Sequence, residues 1–376
     1  MEPVDGLRAF AVLGVIWAHV WMFFGNLPMK FFGFDLNKLF SFGGIGVDLF
    51  FVISGFCMYL MHAKNNHGKF GTENYKNFIS KRWKRIAPAF YVAVIFSATI
   101  YFFSTKIFPA KSVIFHFLFI NIFDGQNFLS PPFWSLSTEW QFYLILPLIF
   151  IADKKGKWIF TRVFVLMLVS FLFRVALFQR YNFQPGITVT TYEIWYRFVE
   201  FGFGILAAKF YMEKKKLPYF LSGFIGFIIS FAIAFAGRIF MYNEFIVKFG
   251  KNEFIIRALA EPVLTLGFAL MILNLITTAS VFKKIISSRP FLFVGKISYS
   301  MYLWHWPIAV WMSSAVIGMI GVSALNMELC YLLTVFAVIC VAVISYHFFE
   351  APYFSRAGNK NTVAAPAINY ANDKVS

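Results

Sequence analysis

The chain has 376 residues, 60% of them hydrophobic and only 14% charged, with a formal net charge of +17. Soluble globular domains carry nearer a quarter charged residues, and the hydrophobicity here comes in blocks approaching the roughly 20 apolar residues that cross a bilayer. A soluble enzyme is excluded. So is a nucleic-acid-binding domain, for which a basic balance would otherwise argue, and the composition fits an all-α integral membrane protein.

In chain order, ten apolar stretches read as spans: 7–24, 45–62, 86–104, 134–151, 159–178, 195–211, 218–236, 258–277, 296–317 and 328–349. A further apolar run, 112–123, is short and is followed by the loop DGQNFLSPP; it is either an eleventh crossing or a re-entrant or interfacial segment. Charge decides between them. With ten spans and a cytoplasmic N-terminus, the inner segments carry roughly twice the Lys and Arg of the outer loops, as the positive-inside rule requires. Eleven spans would send KKGK (154–157) and EKKK (213–216) outside. The reading is therefore about ten transmembrane helices with one short re-entrant or interfacial segment and both termini in the cytoplasm. Residues 1–354 form one membrane domain, and the polar tail 355–376 is expected to be disordered. No basic segment precedes the first span and no small-x-small cleavage site follows it, so it reads as a retained helix. Cys57, Cys330 and Cys340 all fall inside spans and read as small buried hydrophobes, outside any disulfide framework.

An ionisable side chain inside a membrane span is costly, and each is a functional candidate by default. The first span carries Arg8 and His19. Eleven residues is close to three helical turns, so both face one way, with His19 about 17 Å beyond Arg8 and near the midplane. The bland alternative is that Arg8 snorkels to the interface and His19 makes an interhelical hydrogen bond. In the second span, Asp48 lies near the outer end, where capping or solvation explains it as well as catalysis does. Ser54, Gly55 and Gly46 read first as small residues that let helices approach. The segment FISKRWKRIAP (78–88) sets Arg82 and Arg85 at i and i+3, on one face. Cations there suit a phosphate-bearing ligand, and equally topology and anionic lipid. In PPFWSLSTEWQFYLILP (131–147), Glu139 is placed either to orient an imidazole or to bind acceptor hydroxyls. Trp134 and Trp140 read as belt aromatics or as a sugar-stacking platform. Arg174, Arg197 and Glu200 are further intramembrane charges, and the i, i+3 spacing lets Arg197 pair with Glu200. Late in the chain His305 repeats the anomaly of His19, and His347 and Glu350 lie near an inner end. No motif suggests a metal, a P-loop, a dinucleotide fold or a nucleophile elbow.

Six segments in order resemble the acyltransferase-3 family of membrane acyltransferases: DGLRAFAVLGVIWAH (5–19), GVDLFFVISGF (46–56), RWKRIAP (82–88), FWSLSTEWQFYLILP (133–147), ISYSMYLWHWP (297–307) and FFEAPYF (348–354). The resemblance covers most of the chain. It implies transfer of an acyl group, commonly acetyl, from a cytoplasmic coenzyme A thioester to hydroxyls of an extracytoplasmic glycan such as lipopolysaccharide O-antigen or exopolysaccharide. It implies a multi-pass protein of the bacterial inner membrane with acyl-CoA as co-substrate, no permanently bound cofactor and no metal. It gives His19 the central role and assigns Arg82 and Arg85, with Arg8 behind them, to the donor. Glu139 is the candidate to orient His19 or to hold the acceptor. Ser54, Ser137 or Arg8 is the candidate oxyanion stabiliser, and Asp48, His305 and Glu350 are accessory candidates. Some relatives carry an extra hydrolase-like domain after the membrane part. None is read here, so transfer is expected to be completed by the membrane domain or a partner. The competing class is a transporter or flippase for a lipid-linked glycan or acyl carrier. A purely structural partner in a glycan-assembly complex is a third reading.

Overall fold

The computed structural model describes residues 1–28, 30–31, 34–35, 41–65, 72–124, 129–150, 157–181, 192–240 and 253–352. The expected tail, 355–376, lies outside them. Thirteen helices occur among the described residues: α1 Glu2–Phe23, α2 Gly46–Asn65, α3 Thr72–Thr105, α4 Ala110–Phe117, α5 Trp134–Phe150, α6 Ile159–Tyr181, α7 Ile194–Met212, α8 Gly223–Ile239, α9 Glu253–Thr277, α10 Val281–Ile286, α11 Arg289–Lys296, α12 Ser298–Ile320 and α13 Ala324–Ser345. A π-helical turn, Tyr346–Glu350, continues α13. Lys30–Phe31 pairs antiparallel with Phe34–Asp35. All ten expected spans fall on helices. Seven are long and apolar enough to cross a membrane. By that measure α5 and α8 are short at 17 residues each, and α7 carries Arg197, Glu200 and Lys209.

The first helix starts earlier than the hydropathy predicts. Pro3 stands in its first turn with Glu2 and Asp5, where proline's missing N–H costs nothing and carboxylates meet the positive end of the helix dipole. The helix ends where Gly25 and Asn26 turn left-handed, at φ 74° and 55°. His19 therefore lies about one turn before the end of α1.

Two sets of contacts give relative directions. Asp5 lies against Gly295 and His19 against His305, so α1 runs parallel to the α11–α12 run. Asp48 meets Arg197 and Gly55 meets Phe201, so α2 runs parallel to α7. Ten crossings require both results; an eleventh over 112–123 would make each pair antiparallel. That run instead forms the eight-residue α4 and a 3-10 turn, Asn121–Phe123. Eight residues rise only about 12 Å.

Helix packing follows small residues, because lipid removes the hydrophobic incentive for association. A Cβ on Gly55 would collide with the Phe201 carbonyl, and one on Gly204 with the Val52 carbonyl. The close-approach reading of Gly55 holds, and Gly46 likewise faces the backbone of Ala11. The outer surface is apolar, with Leu332, Phe336 and Ile344 of α13 all exposed, which suits a lipid-facing wall.

Candidate active site

The two histidines of the apolar helices meet. His305 Nε2 lies 3.1 Å from His19 Nδ1, and the rings stack with centroids 5.1 Å apart and planes at 27°. Trp306 sets its edge against His19 at 5.0 Å and against Phe23 at 5.1 Å, bracing the imidazole from a second side. His305 is fully buried, whereas His19 is half-buried. The His305 ring is held by its own helix: Nδ1 lies 2.6 Å from the Tyr302 carbonyl. The Tyr302 hydroxyl in turn donates to the Pro132 carbonyl at 2.8 Å and lies 2.8 Å from Ser135 Oγ, tying α12 to the start of α5.

At the other end of α1, Arg8 opens a polar seam. Its Nη1 donates to Asp5 at 2.5 Å and its Nη2 to the Cys57 thiol at 3.4 Å, and its charge acts on Glu139. Glu139 accepts from Ser54 Oγ at 2.8 Å and from the Tyr143 hydroxyl at 2.5 Å. The Arg82 guanidinium lies 5.6 Å from the centre of the Tyr143 ring and 5.4 Å from that of Phe78, and it donates to Met61 Sδ at 3.0 Å. The charge of Arg85 acts on Glu350 and on Tyr299; Glu350 accepts from Ser300 Oγ at 2.6 Å, and Tyr299 donates to the Ile86 carbonyl at 2.8 Å. Helices α1, α2, α3 and α5 thus bring Arg8, Ser54, Arg82, Glu139 and Tyr143 to one level. The i, i+3 arginines share the inner face of α3, as their spacing requires.

Other expectations are redistributed. Glu139 makes its hydrogen bonds to Ser54 and Tyr143, while the side chain that meets the His19 ring nitrogen is an imidazole, His305. Ser54 donates its hydrogen bond to Glu139, and Ser137 donates its to Asn121, neither to the imidazole. Arg8 stands about 17 Å from His19 along α1. Asp48 is an ion-pair partner: Arg197 Nη1 lies 2.9 Å from both Asp48 and Glu200. Arg174 pairs with Glu261 and lies 3.5 Å from Glu200. That network joins α2, α6, α7 and α9. Trp140 is neither belt nor platform; it is buried and stacks on Phe119 at 5.0 Å. Trp134 stacks on Tyr192 at 4.4 Å, and the Arg197 guanidinium lies 5.0 Å from the centre of its ring. Cys57, Cys330 and Cys340 are free thiols, but of the three only Cys330 is the buried hydrophobe expected; Cys57 is half-buried and Cys340 lies exposed on the apolar outer wall of α13. Sequence reasoning missed Tyr143, Tyr302 and Glu261. Tyr143 stands four residues after Glu139, a spacing that places both on one face, and Glu261 is an acid inside an apolar span, the very signal that marked the others.

The acyltransferase-domain family model matches residues 2–353. The O-acetyltransferase OatA of Staphylococcus aureus, in strains NCTC 8325 / PS 47, COL and MRSA252, is 29% identical over 385 aligned positions, covering 94% of this chain. The chain spans 57% of the length of those relatives. No solved structure matches it. With its apolar helices and a family match over nearly its whole length, the chain is a multi-pass membrane protein that belongs to the acyltransferase-domain family.

Proposed function

We propose that this protein is an O-acyltransferase carrying an acetyl group from cytoplasmic acetyl-CoA, or another acyl-CoA, to hydroxyls of an extracytoplasmic glycan such as O-antigen or exopolysaccharide. It would act in the bacterial inner membrane with both termini cytoplasmic. The observation that carries this reading is the division of labour along α1. A paired imidazole stands near one end, and about three turns away Arg8 joins Arg82 and Glu139 in a polar seam. The coenzyme has the same two-ended chemistry, with phosphates at one end and a thioester on a long flexible arm. Arg8, Arg82 and Arg85 grip phosphate, and the arm follows α1 toward His19. His19 then acts either as general base on the acceptor hydroxyl or as the nucleophile that carries the acyl group in between. Glu139 balances the arginines and holds Ser54 and Tyr143 in place. Relatives named O-acetyltransferase support the reaction class.

The test is the ester content of the cell-surface polysaccharide in three strains: wild type, a deletion, and the deletion carrying His19→Ala at matched expression. Esters lost in the deletion and not restored by His19→Ala support the enzyme and its central residue. Esters unchanged in all three, with a shift in glycan amount or location, defeat acyl transfer and favour transport.

A further inference from the structure

The hydrogen bonds around the two histidines fix their tautomers. A carbonyl oxygen can only accept, so the 2.6 Å contact to the Tyr302 carbonyl puts a proton on His305 Nδ1. His305 is fully buried, and among the described residues its hydrogen-bond partners are backbone carbonyls and an imidazole. With no carboxylate bonded to it to support a positive charge, it is neutral at rest. Its Nε2 then holds a lone pair. The atom facing that lone pair at 3.1 Å is His19 Nδ1, which must therefore be the donor. The Val15 backbone, one turn earlier on α1, also acts on the His19 imidazole. His19 Nε2 is left unprotonated, makes no hydrogen bond among the described residues, and belongs to a half-buried ring.

We propose that His305 is the positioning residue for His19: it locks the Nδ1–H tautomer, aims the Nε2 lone pair at the substrate, and accepts the Nδ1 hydrogen bond while His19 is cationic. This rests on the acyl-transfer reading above. In the direct route, Nε2 takes the proton of the acceptor hydroxyl as its oxygen bonds the thioester carbonyl carbon. The carbon–sulfur bond then breaks, and the departing thiolate takes that proton back from Nε2, returning His19 to its starting tautomer. His305 gains and loses no proton. In a serine protease an aspartate plays this part, and its loss through the wrong tautomer costs about 10⁴ in kcat. A neutral imidazole is a weaker partner, so a smaller loss of about 10²- to 10³-fold is expected here.

The direct test is ¹⁵N NMR of purified protein labelled at histidine, with the His19 signals assigned by their absence from His19→Gln. The wild type is expected to show a protonated Nδ1 and a bare Nε2. His305→Gln offers an amide oxygen where His305 offers Nε2, and is expected to keep that tautomer and glycan ester levels within about tenfold. His305→Leu is expected to give mixed tautomers and the full loss. A protonated Nε2 in the wild type overturns the proposal. So does His305→Leu with the tautomer and esters both retained, which would mean the Val15 backbone alone suffices. Equal loss of esters in both variants with the tautomer intact overturns it too. The tautomer is read without any reaction, so a failure of the acyl-transfer reading, shown by esters that survive His19→Ala, is distinguished from a failure of the positioning role.

Discussion

Arg174→Met is the sharpest perturbation of the bundle. Arg174 is fully buried. Its guanidinium pairs with Glu261, donates from Nε to the Tyr196 carbonyl at 2.8 Å, lies 3.5 Å from Glu200 and sits 4.0 Å from the centre of the Tyr196 ring. Methionine keeps much of the stem and removes the charge. Glu200 retains Arg197 at 2.9 Å, whereas among the described residues the side-chain hydrogen bond left to Glu261 is the Tyr196 hydroxyl at 3.4 Å, with the charge of Arg197 acting on it without a bond. The cost therefore falls on Glu261. Removing one partner of a buried ion pair costs about 3–5 kcal/mol, several times the roughly 0.6 kcal/mol of an average interhelical hydrogen bond in a membrane. Equilibrium unfolding in mixed micelles should show a loss in the larger range. Adding Glu261→Gln should recover most of it, and adding Glu200→Gln should not. A single-variant loss under about 1 kcal/mol, or equal rescue by both second changes, would refute the assignment of Glu261 as the orphaned group.

Three further outcomes follow from contacts elsewhere in the chain. Gly55→Ala drives a Cβ into the Phe201 carbonyl and should cost about 1–3 kcal/mol by overpacking. Gly25→Ala meets nothing but keeps a φ of 74°, so it should cost only the left-handed strain of about 1–2 kcal/mol; thermal unfolding of both variants separates clash from strain. Burial pushes the His116 imidazole below the ordinary histidine range, against the opposing pull of the Ser112 carbonyl and Asp124. The folded state thus prefers neutral His116. Its contribution is present above the unfolded pKa of about 6.5 and lost as pH falls below it, and His116→Gln should flatten that limb of a stability–pH curve. Finally, Arg82→Ala with Arg85→Ala should raise the acetyl-CoA concentration needed for half-maximal transfer at least tenfold, while His19→Ala abolishes transfer at any concentration. An unchanged donor requirement would remove the arginines from the donor site.

The helices were legible because their signal is local. Ten apolar blocks became ten helices, and the charge bias that rejected an eleventh crossing agrees with the parallel pairs α1–α12 and α2–α7. Boundaries were less legible where polar residues extend a helix past its apolar stretch, as Pro3 and Glu2 do in α1. The site was legible as a set of anomalies and not as an arrangement. His19 and His305 each stood out as an imidazole in an apolar helix, yet 286 positions separate them, and no local pattern says that they touch. Glu139 shows the opposite error. A carboxylate and a histidine invited a pairing by analogy, and the carboxylate instead accepts from Ser54 on the neighbouring helix and from Tyr143 one turn along its own.

The rule that every intramembrane ionisable group is a functional candidate divides once burial is known. Arg174, Glu200 and Glu261 are sealed, with relative exposures of 0%, 0% and 5%. A charge so enclosed has no face left for a substrate, and its role is to clamp α6, α7 and α9 together. Arg8, Arg85 and Glu139 are half-buried, which leaves each a face on which to exchange a protein partner for a phosphate or a hydroxyl; Arg82, at 8% exposure, lies deeper and would reach a phosphate only by giving up its contacts with Met61, Phe78 and Tyr143. The same division runs through the histidine pair. His305 is enclosed between backbone carbonyls and an imidazole, so it can hold and orient but cannot meet a substrate. His19 shares the imidazole hydrogen bond and belongs to a half-buried ring, so under the proposed acyl transfer the chemistry would fall to the half-open partner and the sealed one would select the atom that performs it.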